Sequence, residues 1–280
     1  MKAEPGSTSV EVVAVRAGAR DLRPETIVVE EPLELRLDDA PLAVTMRTPG
    51  HDVELAAGFL VTEGIVSDFR VVNSIAHCDE TRNVVEIRTE PGATGVRRPE
   101  ARHFFASSSC GICGKATLEA LRTFALPLHA DGVRVDAKLL EALPARLRAA
   151  QPLFRETGAL HAAALFSADG TLLCAREDVG RHNAVDKVVG WAALERRLPL
   201  AGTILLASGR LGFEIAQKAL VAGIPVLAAI SGPSSLAVEL ARENGMTLVA
   251  FLRGEALNIY AGAERIQFSY DEHPPKGDPR

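Results

Sequence analysis

Between His161 and Leu252 the apolar positions alternate between short continuous runs and stretches with helical spacing. Thr203–Ala207, Pro225–Ile230 and Thr247–Leu252 are predicted strands. Their runs, such as Ile204-Leu205-Leu206 and Val226-Leu227-Ala228, are unbroken rather than alternating, as expected of strands covered on both faces. Asn183–Glu195, Phe213–Val221 and Ser235–Asn244 carry the helical spacing between them. Strand-helix alternation of this length predicts a parallel sheet with helices on both sides, an α/β fold. Just before it, His161–Phe166 and Leu172–Ala175 read as strands joined by a turn at Ala168-Asp169-Gly170.

The first third has a different rhythm. Thr26–Leu37 and Leu42–Arg47 alternate in the manner of strands, with Asp38-Asp39 as the turn, and Val84–Thr89 is a further strand. Asp52–Glu63 reads as a short helix, capped by Asp52 and stopped at Gly64. Glu90–Glu100 holds Pro91, Gly92, Gly95 and Pro99 and is the best boundary candidate, a loop or linker. Ala116–Phe124 and Ala137–Ala150 have helical spacing, with Pro144 expected to kink or split the second. The ends, Met1–Ser9 and His273–Arg280, are expected to fray. The resulting division is a smaller β-rich α+β domain over 1–105, an α/β core over 106–270 and a tail over 271–280.

Composition narrows the function classes. Of 280 residues, 47% are hydrophobic and 24% charged, which suits a globular protein with a sizeable core. The formal charge of -5 supplies no basic field for a nucleic-acid backbone. No apolar stretch is long enough to span a bilayer and no secretory leader is evident, so a cytoplasmic protein off the membrane is expected. Four cysteines are too few for a disulfide framework in a chain of this length.

Candidate chemistry concentrates at strand-to-helix junctions and in one cysteine loop. In such a sheet, ligands bind beyond the carboxyl ends of the strands. There lie Glu177-Asp178-Val179-Gly180-Arg181-His182-Asn183, then Ser208-Gly209-Arg210-Leu211-Gly212, then Ser231-Gly232-Pro233-Ser234-Ser235. Each opens a helix, where free N–H groups and the helix dipole favour an anion. Arg181 and Arg210 add forks suited to phosphate. A serine or glycine before a helix is also an ordinary cap. The first junction carries more polar chemistry than capping needs, and Asp186, one turn after His182, is placed to orient the imidazole or to form a structural pair with it.

The cysteine loop is Ser107-Ser108-Ser109-Cys110-Gly111-Ile112-Cys113-Gly114-Lys115. A helical pattern follows, so a helix N-terminus and Lys115 would favour the thiolate, while Gly111 and Gly114 leave room around the sulfur. These are the properties of a sulfur carrier. A thioredoxin-like redox pair lacks its βαβ setting. A zinc site needs two further ligands, from Cys78, His77, His103 or His161, without a second C-x-x-C. A zinc nucleobase deaminase uses H-x-E before P-C-x-x-C, whereas Ser109 precedes Cys110 and His161-Ala162-Ala163 lacks the glutamate. Cys174 reads as core, and Cys78 as exposed with no role.

Taken together, the chain resembles the formate dehydrogenase accessory sulfurtransferase family, FdhD. The resemblance runs through Met46–Asp52, Gly58-Phe59-Leu60, Glu63-Gly64-Ile65, the cysteine loop, Glu177–Gly190, Ser208-Gly209-Arg210, Ser231-Gly232-Pro233 and Phe251-Leu252-Arg253-Gly254. It implies a cytidine-deaminase-like three-layer core with a smaller β-rich N-terminal domain, usually as a homodimer. It implies a sulfurtransferase that takes sulfur as a persulfide on Cys110 from a cysteine desulfurase; Cys113 is expected to assist or protect. The acceptor would be the molybdenum cofactor carrying two pterin guanine dinucleotides, before its insertion into the formate dehydrogenase apoprotein, with no permanently bound metal. The late cofactor-binding segment maps to Phe251, Leu252, Arg253, Gly254, Glu255 and Ala256. Asp178, Arg181, His182, Ser208, Gly209, Arg210 and Ser231 complete the expected cofactor site, with Asp178 or Glu177 accepting guanine N–H groups. Ala159 stands where the family pattern has a second glycine after Gly158. A cofactor-binding chaperone with metal-binding cysteines, and a dithiol redox enzyme, are the competing functions.

Overall fold

The computed structural model describes residues 6–78, 82–97, 105–106, 128 and 132–269. The first described elements form an antiparallel ribbon, β1 (Ser7–Arg16) and β2 (Ala19–Val28), which pairs with no other sheet among the described residues. Ala17 and Gly18 both have positive φ, the two-residue turn that matches the twist of a hairpin. This ribbon corrects two expectations. The amino end is in a strand from Ser7 onward, and Thr26–Leu37 is not one strand, because its first residues belong to β2 and the rest to another sheet.

That second sheet is mixed and five-stranded. It contains β3 (Glu31–Leu37), β4 (Ala40–Arg47), β5 (Val72–His77), β6 (Val84–Thr89) and β7 (Phe105–Ala106), in the order β5-β6-β3-β4-β7. Alternation on β3 turns Leu33, Leu35 and Leu37 inward, where α1 (Asp52–Thr62) covers them with Leu55, Ala56 and Leu60. Asp38 and Asp39, both at positive φ, make the expected β3–β4 turn. The described part of the 90–100 segment is a loop, in which Arg97 N–H donates to the Ile65 carbonyl and Ser67 N–H to the Gly95 carbonyl.

The larger sheet has six strands. These are β9 (His161–Ser167), β10 (Leu172–Asp178), β11 (Thr203–Ala207), β12 (Val226–Ala229), β13 (Thr247–Arg253) and β14 (Ala256–Ala261), in the order β10-β9-β11-β12-β13-β14. Only β11, β12 and β13 run parallel to one another; β9 is antiparallel to both neighbours and β14 to β13. Side chains alternate between two cores. Leu205, Leu227 and Leu248 face α4 (Arg181–Leu194), α5 (Phe213–Val221) and α6 (Ser235–Glu243). Ile204, Leu206, Val226 and Val249 face α2 (Ala137–Ala149), which contributes Leu140, Leu143 and Leu147. The result is an α/β core of three layers. Helix α2 is capped by Asp136, whose carboxylate accepts from Lys138 N–H at 2.8 Å, and it runs through Pro144 unsplit. A short α3 (Pro152–Thr157) follows. A small parallel pair, β8 (Val135–Asp136) with β15 (Ile266–Gln267), closes the fold.

The two sheets are joined through α1 and α4. Gly58 of α1 and Gly190 of α4 bring the helix backbones together. Around them a buried cation, Lys218, donates to Asp186 Oδ1 and Oδ2, Thr62 Oγ1 and Glu63 Oε1, each at 2.9 Å. Three helices are thus tied at one buried charged point, where Asp186 Oδ1 also accepts from Thr62 Oγ1 at 2.7 Å.

Candidate functional site

The carboxyl ends of the three parallel strands bring the predicted segments to one edge of the larger sheet. Ser208-Gly209-Arg210 follows β11, Ser231-Gly232-Pro233 follows β12, and Phe251–Ala256 forms the end of β13 and the turn into β14. They touch in sequence. Leu211 N–H donates to the Gly232 carbonyl, Phe251 N–H to the Ser231 carbonyl, and a side chain at Gly232 would meet the Phe251 ring at 2.7 Å. Phe251 holds φ at 55°, unusual for an aromatic residue, with its ring half-exposed and Arg253 5.7 Å above it. Because β9 and β10 run the other way to each other, the start of one and the end of the other arrive at the same edge: His161 lies opposite Asp178.

The first junction is built around Asp178, whose side chain is fully buried. It is 2.7 Å from Lys187 Nζ and accepts from Gly180 N–H at 2.8 Å, Asn183 Nδ2 at 2.9 Å and Thr48 N–H at 3.2 Å. Lys187 is itself buried and donates to the Thr48 carbonyl at 2.9 Å and the Glu177 carbonyl at 3.3 Å. Thr48 Oγ1 accepts from Val179 N–H at 3.1 Å. Strand β4 therefore docks its end onto the junction, helped by Asn183 donating to the Met46 carbonyl and by Thr45 Oγ1 donating to Asn183.

Several expectations are corrected here. Asp178 accepts from the protein's own donors and has no open face for a guanine. Glu177 accepts from the N–H groups of Leu153 and Phe154 at 3.0 and 2.8 Å, and so caps α3, which has no cap of its own. Burial nonetheless holds its carboxyl above the ordinary value. Asp186 does not orient His182. It accepts from Thr62 and Lys218, while His182 Nε2 lies 2.6 Å from Glu214 Oε2 on α5. Burial raises the Glu214 carboxyl, but the contact with His182 outweighs it and leaves the group below its usual range. Ser208 Oγ accepts from Ala162 N–H at 2.9 Å and extends the sheet. Leu252 is in the core, so only its backbone is available to a ligand.

The remaining expected residues do form an open, positive edge. Arg181 is half-buried at the first turn of α4 and Arg210 is exposed; neither has an ion-pair partner among the described residues. Gly209 packs closely here: a Cβ at this position would lie 3.3 Å from His161 Nδ1 and 3.8 Å from Arg181 Cβ. Ser231 is half-buried, and Arg253, Gly254, Glu255 and Ala256 are exposed. Sequence reasoning left His161 out of this set. The imidazole is held below its ordinary value, first by burial and then by Arg181 and His182, so it is neutral at pH 7. Its signal was a strand starting opposite the end of its hairpin partner. Among the described residues no His/Cys/Asp/Glu group has metal-binding geometry.

Cys110 and Cys113 lie outside the described residues. The chain is followed up to Ala106, where β7 pairs with β4 through Val44↔Phe105 and Thr45↔Ala106. Thr45, the strand partner of Ala106, is the residue bonded to Asn183. Of the other cysteines, Cys78 is exposed and Cys174 buried, the latter thiol pushed up to about 12 mainly by burial.

The profile of the FdhD/NarQ family matches residues 28–267. The chain belongs to the FdhD/NarQ family. A sulfur carrier protein FdhD of Streptomyces coelicolor is 56% identical over 267 residues, covering 91% of this chain and 94% of that protein. One from Sulfolobus acidocaldarius is 42% identical over 257 residues, covering 92% and 97%. Among solved structures, a protein of Desulfotalea psychrophila, assigned as a formate dehydrogenase accessory protein, superposes with a TM-score of 0.75 at 27% identity. That match covers 94% of this chain and 100% of the other. The family relationship therefore extends across both sheets, including the edge where the junctions meet. No helix among the described residues is long and apolar enough to cross a membrane.

Proposed function

We propose that this FdhD/NarQ family member is a sulfurtransferase that carries sulfur as a persulfide on Cys110, working as a cytoplasmic homodimer. In the loading step the Cys110 thiolate attacks the outer sulfur of a persulfide on a cysteine desulfurase. The donor S–S bond breaks, its thiolate leaves, and a new S–S bond forms on Cys110 with no net redox change. In the second step the S–S bond on Cys110 breaks, Cys110 leaves as the thiolate, and the outer sulfur passes to the molybdenum cofactor bearing two guanine dinucleotides, the reduced acceptor supplying the two electrons that bring it to sulfide, before insertion into formate dehydrogenase. Names given to the relatives support the carrier role and the formate dehydrogenase link.

The observation that carries the reading is the position of Ala106 beside Thr45 and the Asp178 junction. Cys110 follows four residues later in the sequence. The sheet edge offers what a dinucleotide needs: helix N-termini and the unpaired Arg181 and Arg210 for phosphates, and Phe251 with the Arg253–Ala256 turn beside them. Cys113 assists or protects the carrier sulfur.

Mass measurement under non-reducing conditions, after incubation with a cysteine desulfurase and cysteine, tests the first step. One added sulfur on Cys110 is expected; an unloaded Cys110, or undiminished transfer by Cys110→Ala, overturns it. Calorimetry with a guanine nucleotide tests the edge. Arg181→Ala and Arg210→Ala should each weaken binding, by about tenfold for a lost charge-assisted contact. Unchanged affinity in both removes this placement.

A further inference from the structure

No role falls to His161 in the phosphate site proposed above, yet the fold fixes it there. Its neighbour Ala162 is bonded twice to Ser208: Ala162 N–H donates to Ser208 Oγ at 2.9 Å, and Ser208 N–H donates to the Ala162 carbonyl at 2.9 Å. The start of β9 is therefore tied to the turn that follows β11, and the half-buried imidazole is held beside Gly209. A Cβ at 209 would fall 3.3 Å from His161 Nδ1 and 3.8 Å from Arg181 Cβ, so the imidazole and the root of the Arg181 side chain meet at one point. Glycine at that point keeps Nδ1 clear of a further side chain. Among the described residues neither ring nitrogen of His161 has a hydrogen-bond partner, although polar groups withdrawn from water ordinarily find one.

The surrounding charges say what that partner is. Those facing His161 are Arg181 and His182 on α4 and Asp178 on β10. Asp178 is the one carboxylate among them, and it is already taken by Lys187, Gly180, Asn183 and Thr48. Glu214 lies against His182. Nitrogen donors thus converge on a place to which the protein brings no free carboxylate, and an anion completes it. We propose that His161 is a second ligand, with Arg181, of a phosphate bound at this edge, and that it takes up a proton from solvent as the anion docks. The proposal rests on the phosphate-binding reading of the edge and adds to it a residue and a proton. A neutral imidazole offers one N–H, whereas the imidazolium offers two and a charge. Burial, and then Arg181, keep the free imidazole below its ordinary value. A phosphate on Arg181 offsets the second cause and sets an opposite charge beside the ring, which favours the protonated form. The bound state then holds more protons than the free one. Affinity therefore rises as pH falls through the neutral range, and levels off where the free imidazole is itself protonated.

Calorimetry of the full chain with diguanosine pyrophosphate, two guanosines joined through a pyrophosphate diester, tests it. The diester has no proton to exchange near neutral pH, whereas a terminal phosphate titrates near about 6. At about pH 6.5, in two buffers of different protonation enthalpy, the binding heats should differ by the uptake of about half a proton per site. An uptake below about a quarter of a proton overturns the proposal. Affinity should rise about three- to tenfold from pH 8 to pH 6, and a flat or opposite trend overturns it equally. His161→Gln keeps a neutral donor. It should abolish the uptake and bind about three- to tenfold more weakly than the wild type at pH 6, while staying within about twofold at pH 8. Uptake that persists in His161→Gln belongs to another group, such as His182, and overturns the assignment. The wild-type measurement needs no folded variant. Binding that Arg181→Ala weakens, but that takes up no proton in the wild type, overturns this inference and leaves the phosphate site standing. Absence of any binding overturns both.

Discussion

Gly190 of α4 and Gly58 of α1 set how closely those helices approach, and Gly190→Ala puts that approach to a test. A Cβ at 190 would overlap the Glu54 carbonyl oxygen and lie 2.6 Å from Gly58 N and 2.7 Å from the Glu54 carbonyl carbon. Ordinary contact needs about 3.4 Å or more, so the helices would have to part by more than about 1.5 Å. Overpacking of this kind costs about 1–3 kcal/mol, and more where backbone rather than a side chain is in the way. Alanine offers about 1 kcal/mol in helix propensity. Because the obstacle here is backbone, the net expectation is a loss of roughly 2 kcal/mol. The same displacement would move the first turn of α4, which carries Arg181 and His182. Urea unfolding is the assay: the midpoint should fall, and the melting temperature should drop by roughly 4–8 °C. A Gly190→Ala variant as stable as the wild type, or more stable by the propensity term, would refute the close-contact reasoning.

Three further outcomes follow from the same contacts. Lys187→Met should destabilise the protein by about 3–5 kcal/mol in urea unfolding, because it leaves the buried Asp178 carboxylate without its cation. A change under about 1 kcal/mol would mean that the backbone donors suffice. Burial raises the Glu54 carboxyl, but hydrogen bonds from Arg176 and His51 outweigh this and hold it at about 2. A depressed carboxyl stabilises the fold above its unfolded value of 4.5, and that stabilisation is lost as the pH falls toward about 2. The stability gap between wild type and Glu54→Gln should therefore be widest above pH 4.5 and close in acid; a gap that does not change with pH would contradict it. Finally, native-state alkylation at pH 8 with peptide mass mapping should label exposed Cys78 and spare Cys174, whose thiol is buried and raised to about 12. Labelling of Cys174 at the rate of Cys78 would show that the β10 strand opens.

The larger sheet was legible because its strands are buried on both faces, and continuous runs such as Ile204-Leu205-Leu206 have few other readings. The three junctions were legible for the same reason, since polar glycine-rich segments must then fall at strand ends. The ribbon was missed because both of its faces meet solvent, so burial imposes no alternation on β1 or β2. Which acids at the first junction are open to a ligand was also not readable. Asp178 is closed off partly by Thr48, 130 positions earlier, and His182 finds Glu214 rather than the nearer Asp186. Local spacing sees only the i+4 neighbour, whereas packing of three helices decides the pairing.

Thr48 commits its amide, its carbonyl and its hydroxyl at once, to Asp178, Lys187 and Val179. A residue tied three ways cannot slide, so chain length around it is fixed on both sides. Adding or removing a single residue just before position 48 would pull every one of those bonds out of alignment. The same edit at the Ala17-Gly18 turn would be absorbed by solvent-exposed backbone. A protein cut and rejoined with new ends at that turn should retain its shape, whereas one opened at Thr48 would lose the strap that fastens the amino-terminal sheet to the rest.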